Sequence, residues 1–289
     1  MSTQADGLRR FVKERGIGSS DGWTPSDARV VLLGAGKGGI GTSTVAALLA
    51  LAFAEQGRRT LLIDGDDQAG TLHHWFGVEP RIGIGALRAP GIDPHEALVQ
   101  ASEMLHLLPG GSTNDGQAPV LTTSDRRVIW RRVAALYADH DFVIIDGGCR
   151  LDTLMAASAA GVRRLAAVSA ADPVSLAATY ALLKAIDARL PGLPVDFVAS
   201  QQDESRARSL YDHVQMASQR WLRRGLNYGG TIPEDVMLRE RLAGGGTFAA
   251  TAPHTPAATA AVTIGGRLIA ELDDVARRSI APSANDWRR

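Results

Sequence analysis

The sequence predicts a doubly wound α/β domain in which a mostly parallel sheet carries helices on both faces. Short apolar runs with many β-branched residues recur along the chain, beginning with RVVLLGA at residues 29–35. Segments of helical length separate most of these runs, and this alternation is typical of a parallel sheet that is buried on both faces. A glycine-rich loop directly follows the first run and opens the first helical segment, which indicates a strand–loop–helix unit.

The individual elements follow from the same alternation, in chain order. The expected strands are residues 29–35, 59–64, 104–110, 141–146, 163–170, 195–200 and 226–232. The expected helices are residues 42–57, 124–140, 172–190 and 208–224, with a final helix over about 255–278. Residues 4–15 predict a short helix and the Gly/Ser/Pro-rich residues 16–27 a linker. We therefore divide the chain into a leader, 1–28, and one large domain, 29–289.

The composition excludes several classes of protein. The 31 basic residues balance 31 acidic residues, which argues against a dedicated nucleic-acid binder. The single cysteine, Cys149, rules out a disulfide within the chain and a four-cysteine metal site, and it favours a reducing compartment. No run approaches the ~18 apolar residues that span a bilayer, and the first residues lack the apolar core of a signal peptide. We expect a cytoplasmic protein.

The stretch GAGKGGIGTST, Gly34 to Thr44, nearly matches the phosphate-binding pattern G-x-x-x-x-G-K-[ST]. Gly36 and Gly41 occupy the glycine positions and Ser43 the position of the magnesium ligand, but Thr42 replaces the lysine. A lysine does occur earlier in the loop, at Lys37. Glycines in such a turn let backbone N–H groups converge on an anion, and the N-terminus of the following helix adds partial positive charge.

Acidic residues end two of the predicted strands. RTLLIDGDD places Asp64 at a strand end and Asp66 two residues later, and DFVIID ends in Asp146. Open α/β sheets build their sites at the carboxyl ends of the strands, where these carboxylates would hold a magnesium ion and orient water.

The loop GKGGIG resembles the deviant Walker A loop of the MinD/ParA superfamily, K-G-G-x-G-K-[ST], at Lys37, Gly38, Gly39, Gly41 and Ser43. The resemblance implies a P-loop NTPase fold and binding of ATP or ADP with Mg²⁺. It implies that Lys37 reaches the phosphates of the partner in a nucleotide-sandwich homodimer and that Asp66 positions the attacking water. Magnesium would be held by Ser43, Asp64 and Asp146, and the nucleotide by Gly36, Lys37, Gly38, Gly39, Ile40, Gly41, Thr42, Ser43 and Thr44.

Further stretches resemble one branch of that superfamily, FlhG (FleN), which controls flagellar number and placement. They are LLPGGS, HDFVIIDGG with AAVSAADPVSLAATYALLKAI, LNYGGTIPEDVMLRERL and the leader TQADGLRRF. The third stretch would bring Pro233 near the nucleotide base. The leader resembles the branch's D-Q-A-x-x-L-R motif, so Gln4 would stimulate GTP hydrolysis by an FlhF-like GTPase. Flagellar basal-body components are further implied partners.

Several residues depart from the family pattern around the nucleotide. Thr42 replaces the P-loop lysine, Thr71 an asparagine, Arg150 a glycine, and Ser200 the asparagine that reads adenine. Losing a charge-assisted phosphate contact weakens binding by about ten- to a hundredfold. Arg150 would either restore the missing cation or fill the pocket; the sequence leaves both open. An impaired regulator and a working ATPase that positions division, chromosome or other cargo are therefore both kept as hypotheses.

The C-terminal segment could contact a membrane or pack on the core, because MinD and FlhG end in a basic amphipathic helix that contacts membranes. Here the segment is acidic in its middle, and its apolar stripe predicts a helix packed on the core. That stripe consists of Ile264, Leu268, Leu272 and Val275. Peripheral contact with the inner face of the cell membrane stays open.

Overall fold

The computed structural model describes residues 28–111 and 121–280. Its strands are β1 Arg29–Ala35, β2 Thr60–Asp64, β3 Val99–Ser102, β4 Leu105–Leu108, β5 Phe142–Asp146, β6 Arg164–Ser169, β7 Val195–Ser200 and β8 Asn227–Ile232. Its α-helices are α1 Thr42–Glu55, α2 Leu72–Phe76, α3 Thr123–Val133, α4 Leu151–Ala157, α5 Pro173–Arg189, α6 Glu204–Leu222, α7 Val236–Ala243, α8 Phe248–Thr251 and α9 Pro256–Ile280. The predicted leader helix and linker, with Gln4, lie outside the described residues.

The strands form one sheet in the order β3-β4-β2-β5-β1-β6-β7-β8. Every neighbouring pair is parallel except β3 and β4, which are antiparallel. The predicted doubly wound, mostly parallel sheet is therefore confirmed. Because β1 lies inside this order, the loop that follows it is flanked by the carboxyl ends of β5 and β6.

Helices cover both faces of the sheet and separate the core into two layers. On one face α1 and α9 pack together, with Phe53 and Leu268 fully buried among them. On the other face α3, α5 and α6 bury side chains such as Trp130 and Leu183. Residues 45–54 of helix α1 are all apolar and buried, most of them Ala or Leu, and a segment that is apolar on every side belongs in a core.

The final helix packs on this core as predicted. Ile264, Leu268 and Leu272 are buried, whereas the expectation for Val275 is wrong, because 54% of that residue is exposed. Gly265 lets the helix approach α1 closely, since a Cβ there would lie 3.1 Å from the Phe53 ring. None of the helices in the described ranges is long and apolar enough to cross a membrane.

The short elements escaped prediction. The edge strand β3 has four residues, none of them fully buried, so it carries no apolar run. Helices α2 and α4 have five and seven residues, too few to establish a helical period. The segment expected as one helix over 124–140 divides at Val133 into α3 and a 3₁₀ helix, Ala134–Asp139.

Candidate functional site

The glycine loop joins β1 to α1 at the carboxyl edge of the sheet. Gly36 lies against the backbone of α5, where a Cβ would come within 2.1 Å of the Ala178 carbonyl group. Gly39 and Gly41 have φ values of 76° and 90°, in the left-handed region that favours glycine. These three positions therefore require glycine for steric reasons, independently of any ligand.

The side chains of the loop divide between solvent and core. Lys37, Gly38 and Gly39 are exposed, whereas Ile40 is buried and anchors the loop in the core. Thr42, the first residue of α1, is 7% exposed, and the next two residues, Ser43 and Thr44, are half-buried. The N-terminus of α1 thus opens on the loop, where its first N–H groups suit an anion.

Two carboxylates lie side by side next to this loop. Asp64 of β2 and Asp146 of β5 are register partners in neighbouring parallel strands, and both are buried. The Ser43 hydroxyl hydrogen-bonds to Asp146, and the Gly148 N–H donates to Asp146 Oδ1 at 3.0 Å. Asp64 accepts backbone N–H groups, including those of Thr71 at 2.9 Å and Leu72 at 3.1 Å.

Burial dominates the electrostatics of these carboxylates. It raises the pKa of Asp64 to about 7, with repulsion from Asp146 as the second cause. Burial likewise raises the pKa of Asp146, although the bond from Ser43 opposes the shift. A divalent cation would favour the charged form of both carboxylates, because it supplies an opposite charge beside them.

The chemistry of Ser43, Asp64 and Asp146 fits a magnesium ion. Mg²⁺ prefers oxygen ligands, and in nucleotide sites it uses one or two protein groups together with phosphates and water. In the described ranges no group of three or more His, Cys, Asp or Glu side chains is placed to hold a metal ion unaided. The ion that this set suits is therefore one shared with a bound nucleotide.

Asp66 lies in the loop after β2, half-buried and near both carboxylates. Its Oδ1 accepts the N–H groups of Gln68 and Ala69, each at 3.0 Å, which fixes the side chain in the turn. The loop rests on the segment after β4, because Gly111 N–H donates to the Asp66 carbonyl at 2.8 Å. A carboxylate held in this way can accept a proton from, or orient, a water molecule.

Lys37 makes an ion pair that the sequence did not indicate. Its Nζ lies 3.4 Å from both carboxylate oxygens of Asp172, the N-cap of α5. The pKa of Asp172 is lowered to about 2, mainly because its carboxylate accepts hydrogen bonds from the Ser175 hydroxyl and N–H. The hydrogen bond and the positive charge of Lys37 are smaller causes of the same shift. Both side chains are about two-fifths exposed, and solvent screens such surface ion pairs strongly, so this contact holds Lys37 only weakly.

Arg150 lies at the start of α4 and bridges two loops. It donates to Asp152 at 3.1 Å and to Gln68 Oε1 at 3.2 Å. Asp152 also lies 3.4 Å from Arg126, which forms a buried ion pair with Asp67 at 2.6 Å. Arg150 is thus tied through Gln68 to the loop that carries Asp66.

The remaining predicted contacts lie on the opposite side of the glycine loop. Ser200, the last residue of β7, is 2% exposed and lies beside Gly41, with its Oγ 3.0 Å from where a Cβ would be. Pro233 follows β8 directly and is half-buried. The structure brings Ser43, Asp64 and Asp146 together on one side of the glycine loop and places Ser200 on the other.

The site residues that the sequence motifs did not reveal are Asp172 and Gln68, which contact Lys37 and Arg150. A sequence motif covers a short segment, whereas Asp172 is paired with Lys37, which is 135 positions away. The only available signal was the Asp-Pro dipeptide before α5, which indicates a helix start and no particular partner.

This geometry defines a class of protein: a P-loop NTPase fold of the MinD/ParA type, with a glycine loop after β1 and acidic residues ending β2 and β5. A family model, described as cellulose biosynthesis protein BcsQ, matches residues 28–186. The chain therefore belongs to this BcsQ family, within the MinD/ParA group.

Individual relatives agree with the assignment. The antiactivator FleN of Pseudomonas aeruginosa is 22% identical over 214 residues, which cover 73% of this chain and 76% of FleN. MinD of Escherichia coli K12 is 28% identical over 130 residues, 44% of this chain and 47% of MinD. The structure of Pyrococcus horikoshii MinD complexed with Mg-ADP superposes with a TM-score of 0.69 at 22% identity, covering 86% of this chain and 98% of that one.

Proposed function

We propose that this chain is a nucleotide-dependent regulator that binds ATP or ADP with Mg²⁺ and hydrolyses ATP slowly or not at all. The observation that carries the proposal is the convergence of the glycine loop, Ser43 and two buried carboxylates, Asp64 and Asp146. The residue that weakens the site is Thr42, which holds the position of the P-loop lysine at the start of α1.

The proposed roles follow from the positions of the side chains. The glycine loop and the N-terminus of α1 bind the phosphates, while Ser43, Asp64 and Asp146 would hold magnesium, which neutralises phosphate charge when bound. Asp66 would orient water at the terminal phosphate. Lys37 would leave Asp172 and reach the nucleotide of a second copy, so nucleotide binding would favour a homodimer.

We propose that the cellular role of this chain is to control flagellar number and placement by acting on an FlhF-like GTPase. The support is the FleN relative, which matches nearly three quarters of the chain, together with the leader TQADGLR. A glutamine such as Gln4 suits GTPase activation, because its amide both donates to and accepts from an attacking water. Activation of the GTPase in this way requires that the leader docks on the partner as a helix. It does not require ATP hydrolysis by this chain.

The leader can be tested directly on a purified FlhF-like GTPase. A peptide of residues 1–20 and the full chain should both raise the rate of GTP hydrolysis, and Gln4→Ala should abolish the increase. Asp6→Ala, a change of a neighbouring polar residue outside the motif positions, is the matched control and should retain it. An unchanged GTPase rate with both peptide and full chain would refute this output.

Two observations favour other cellular functions for this chain. The intact set of Asp66, Asp146 and Lys37 favours a working ATPase that positions division, chromosome or other cellular cargo, and magnesium-dependent ATP turnover would distinguish it. The family description favours a role in cellulose biosynthesis. A deletion strain scored for flagellar number and for cellulose production separates that role from the flagellar one.

A further inference from the structure

A network of polar side chains links the loop after β2 to the residues that follow β5. Its members contact one another in the order Gln68, Arg150, Asp152, Arg126 and Asp67. Both ends of the network lie in the loop after β2, at residues 67 and 68, directly after Asp66. Its middle lies at the start of α4 and in the first turns of α3. The network therefore ties together the two loops that border the metal-site carboxylates.

The buried part of this network is the ion pair between Arg126 and Asp67. Arg126 donates through Nε to Asp67 Oδ2 at 2.6 Å and through Nη2 to Asp67 Oδ1 at 3.4 Å. The two side chains are only 10% and 7% exposed. Buried ion pairs seldom stabilise a fold more than apolar residues of the same size would, because both charges lose their hydration. Stability alone therefore does not explain why the chain has this pair.

Arg126 belongs to a rigid element, so it can fix the loop that it contacts. Helix α3 begins with a capping box between Thr122 and Asp125. One turn after Arg126, the side chains of Ile129 and Trp130 are buried in the core. Through the ion pair, the loop after β2 is attached to this helix.

The same loop determines how the Asp64 carboxylate is oriented. Asp64 Oδ1 accepts the N–H of Asp66 at 3.2 Å, while Oδ2 accepts the N–H groups of Thr71 at 2.9 Å and Leu72 at 3.1 Å. These donors lie on both sides of Asp67 in the chain. A shift of the loop would therefore turn the Asp64 carboxylate away from its place beside Asp146.

We propose that Arg126 is a positioning residue for magnesium: by holding Asp67 and Asp152, it fixes the loop after β2 and with it the Asp64 carboxylate. This inference rests on the proposed function, because it requires a magnesium nucleotide at the glycine loop. Groups that hold metal ligands in place affect metal affinity strongly, and their loss typically costs about ten- to a hundredfold. The role of Arg126 is indirect, because it acts through Asp67.

The test measures the affinity of the full chain for ATP by calorimetry, once with magnesium and once with a chelator. The variant is Arg126→Met/Asp67→Leu, which removes the ion pair without leaving one charge buried alone, so its melting temperature should stay near that of the wild type. The matched control is Arg164→Met/Asp196→Leu. Arg164 and Asp196 form an equally buried pair at 2.9 Å, but they lie near the amino ends of β6 and β7, at the opposite edge of the sheet.

We expect Arg126→Met/Asp67→Leu to bind Mg-ATP about ten- to a hundredfold more weakly than the wild type. Its affinity for ATP without magnesium should not change, because the phosphate contacts of the glycine loop remain. The control variant should bind ATP as the wild type does under both conditions. Arg126→Lys keeps a positive charge beside Asp67 and should bind Mg-ATP more tightly than the double variant does.

A second comparison avoids the buried pair and decides the question if the double variant does not fold. Asp152→Asn breaks the ionic link between the two loops at a side chain that is half-exposed, so it should fold normally. Asp187→Asn is its control, since Asp187 is also partly exposed and pairs with Arg224 at 2.8 Å. Asp152→Asn should weaken the binding of Mg-ATP, whereas Asp187→Asn should not. An unchanged affinity in Asp152→Asn would then overturn the proposal.

Three results with the folded double variant would overturn the role of Arg126. The first is an unchanged affinity for Mg-ATP. The second is an equal loss with and without magnesium, which would show that the phosphate site itself is distorted. The third is an equal loss in Arg164→Met/Asp196→Leu, which would show a general effect of removing a buried ion pair. Failure of the proposed function has a different signature, because the wild type itself would then not bind ATP in the presence of magnesium.

Discussion

Restoring the missing lysine is the perturbation that examines the weakened phosphate site most closely. Thr42 begins α1 next to Ser43, so Thr42→Lys would place an ammonium group at the N-terminus that faces the phosphates. A charge-assisted contact contributes about 1.5–3 kcal/mol, and each 1.4 kcal/mol is a factor of ten in affinity. We therefore expect Mg-ATP to bind about ten- to a hundredfold more tightly to this variant.

The nucleotide-free protein should respond in the opposite direction. Thr42 is only 7% exposed, so a lysine there would be partly buried without its anion, at a cost in folding free energy. The melting temperature of the ligand-free variant should fall, and the increase on adding Mg-ATP should exceed that of the wild type. Calorimetric titration and thermal denaturation together measure both effects.

Thr42→Met is the matched control, because it adds a side chain of similar length without the charge. It should not gain affinity. If Thr42→Lys folds and binds ATP no more tightly than the wild type, the pocket is blocked elsewhere and Arg150 becomes the first residue to replace. An equal gain in ATP affinity in Thr42→Lys and Thr42→Met would show that the charge of the lysine is not the cause.

Three other predictions follow from the contacts described above. If the wild type hydrolyses ATP, Asp66→Ala should abolish hydrolysis and leave the binding of Mg-ATP, measured by calorimetry, intact. An Asp66→Ala variant that hydrolyses ATP at the wild-type rate would remove Asp66 from the mechanism. Gly36→Ala should lower the melting temperature sharply, because its methyl group would overlap the Ala178 carbonyl, whereas Gly38→Ala meets only ordinary contacts and should melt as the wild type does. Burial lowers the pKa of His140, so the unfolded chain binds the proton more readily and the free energy of unfolding should fall as the pH drops below about 6.5. His140→Gln should flatten that dependence in urea titrations at several pH values, and an unchanged slope would show that other groups cause it.

The sequence was sufficient where local patterns decide the structure. The strands at 29–35 and 195–200 match residue for residue, because each is a short, mostly apolar run with a proline or glycine at one end. The convergence of Asp64 and Asp146 could also be predicted, since the carboxyl ends of parallel strands meet at one edge whatever lies between them.

The sequence was insufficient where a contact depends on distant packing. The buried ion pair between Arg126 and Asp67 and the pairing of Lys37 with Asp172 join segments far apart in the chain, and no periodicity encodes such a choice of partner. The left-handed backbone of Gln201 is equally invisible, because a glutamine gives none of the turn signals that glycine or asparagine would.

The central claim is that this chain binds a magnesium nucleotide despite lacking the P-loop lysine. The most direct measurement is a calorimetric titration of the purified full chain with ATP, once with magnesium and once with the metal removed by a chelator. We predict saturable binding that is clearly weaker without magnesium, accompanied by slow or absent release of phosphate. Absence of any ATP binding in the presence of magnesium, by a chain that is shown to be folded, would contradict it.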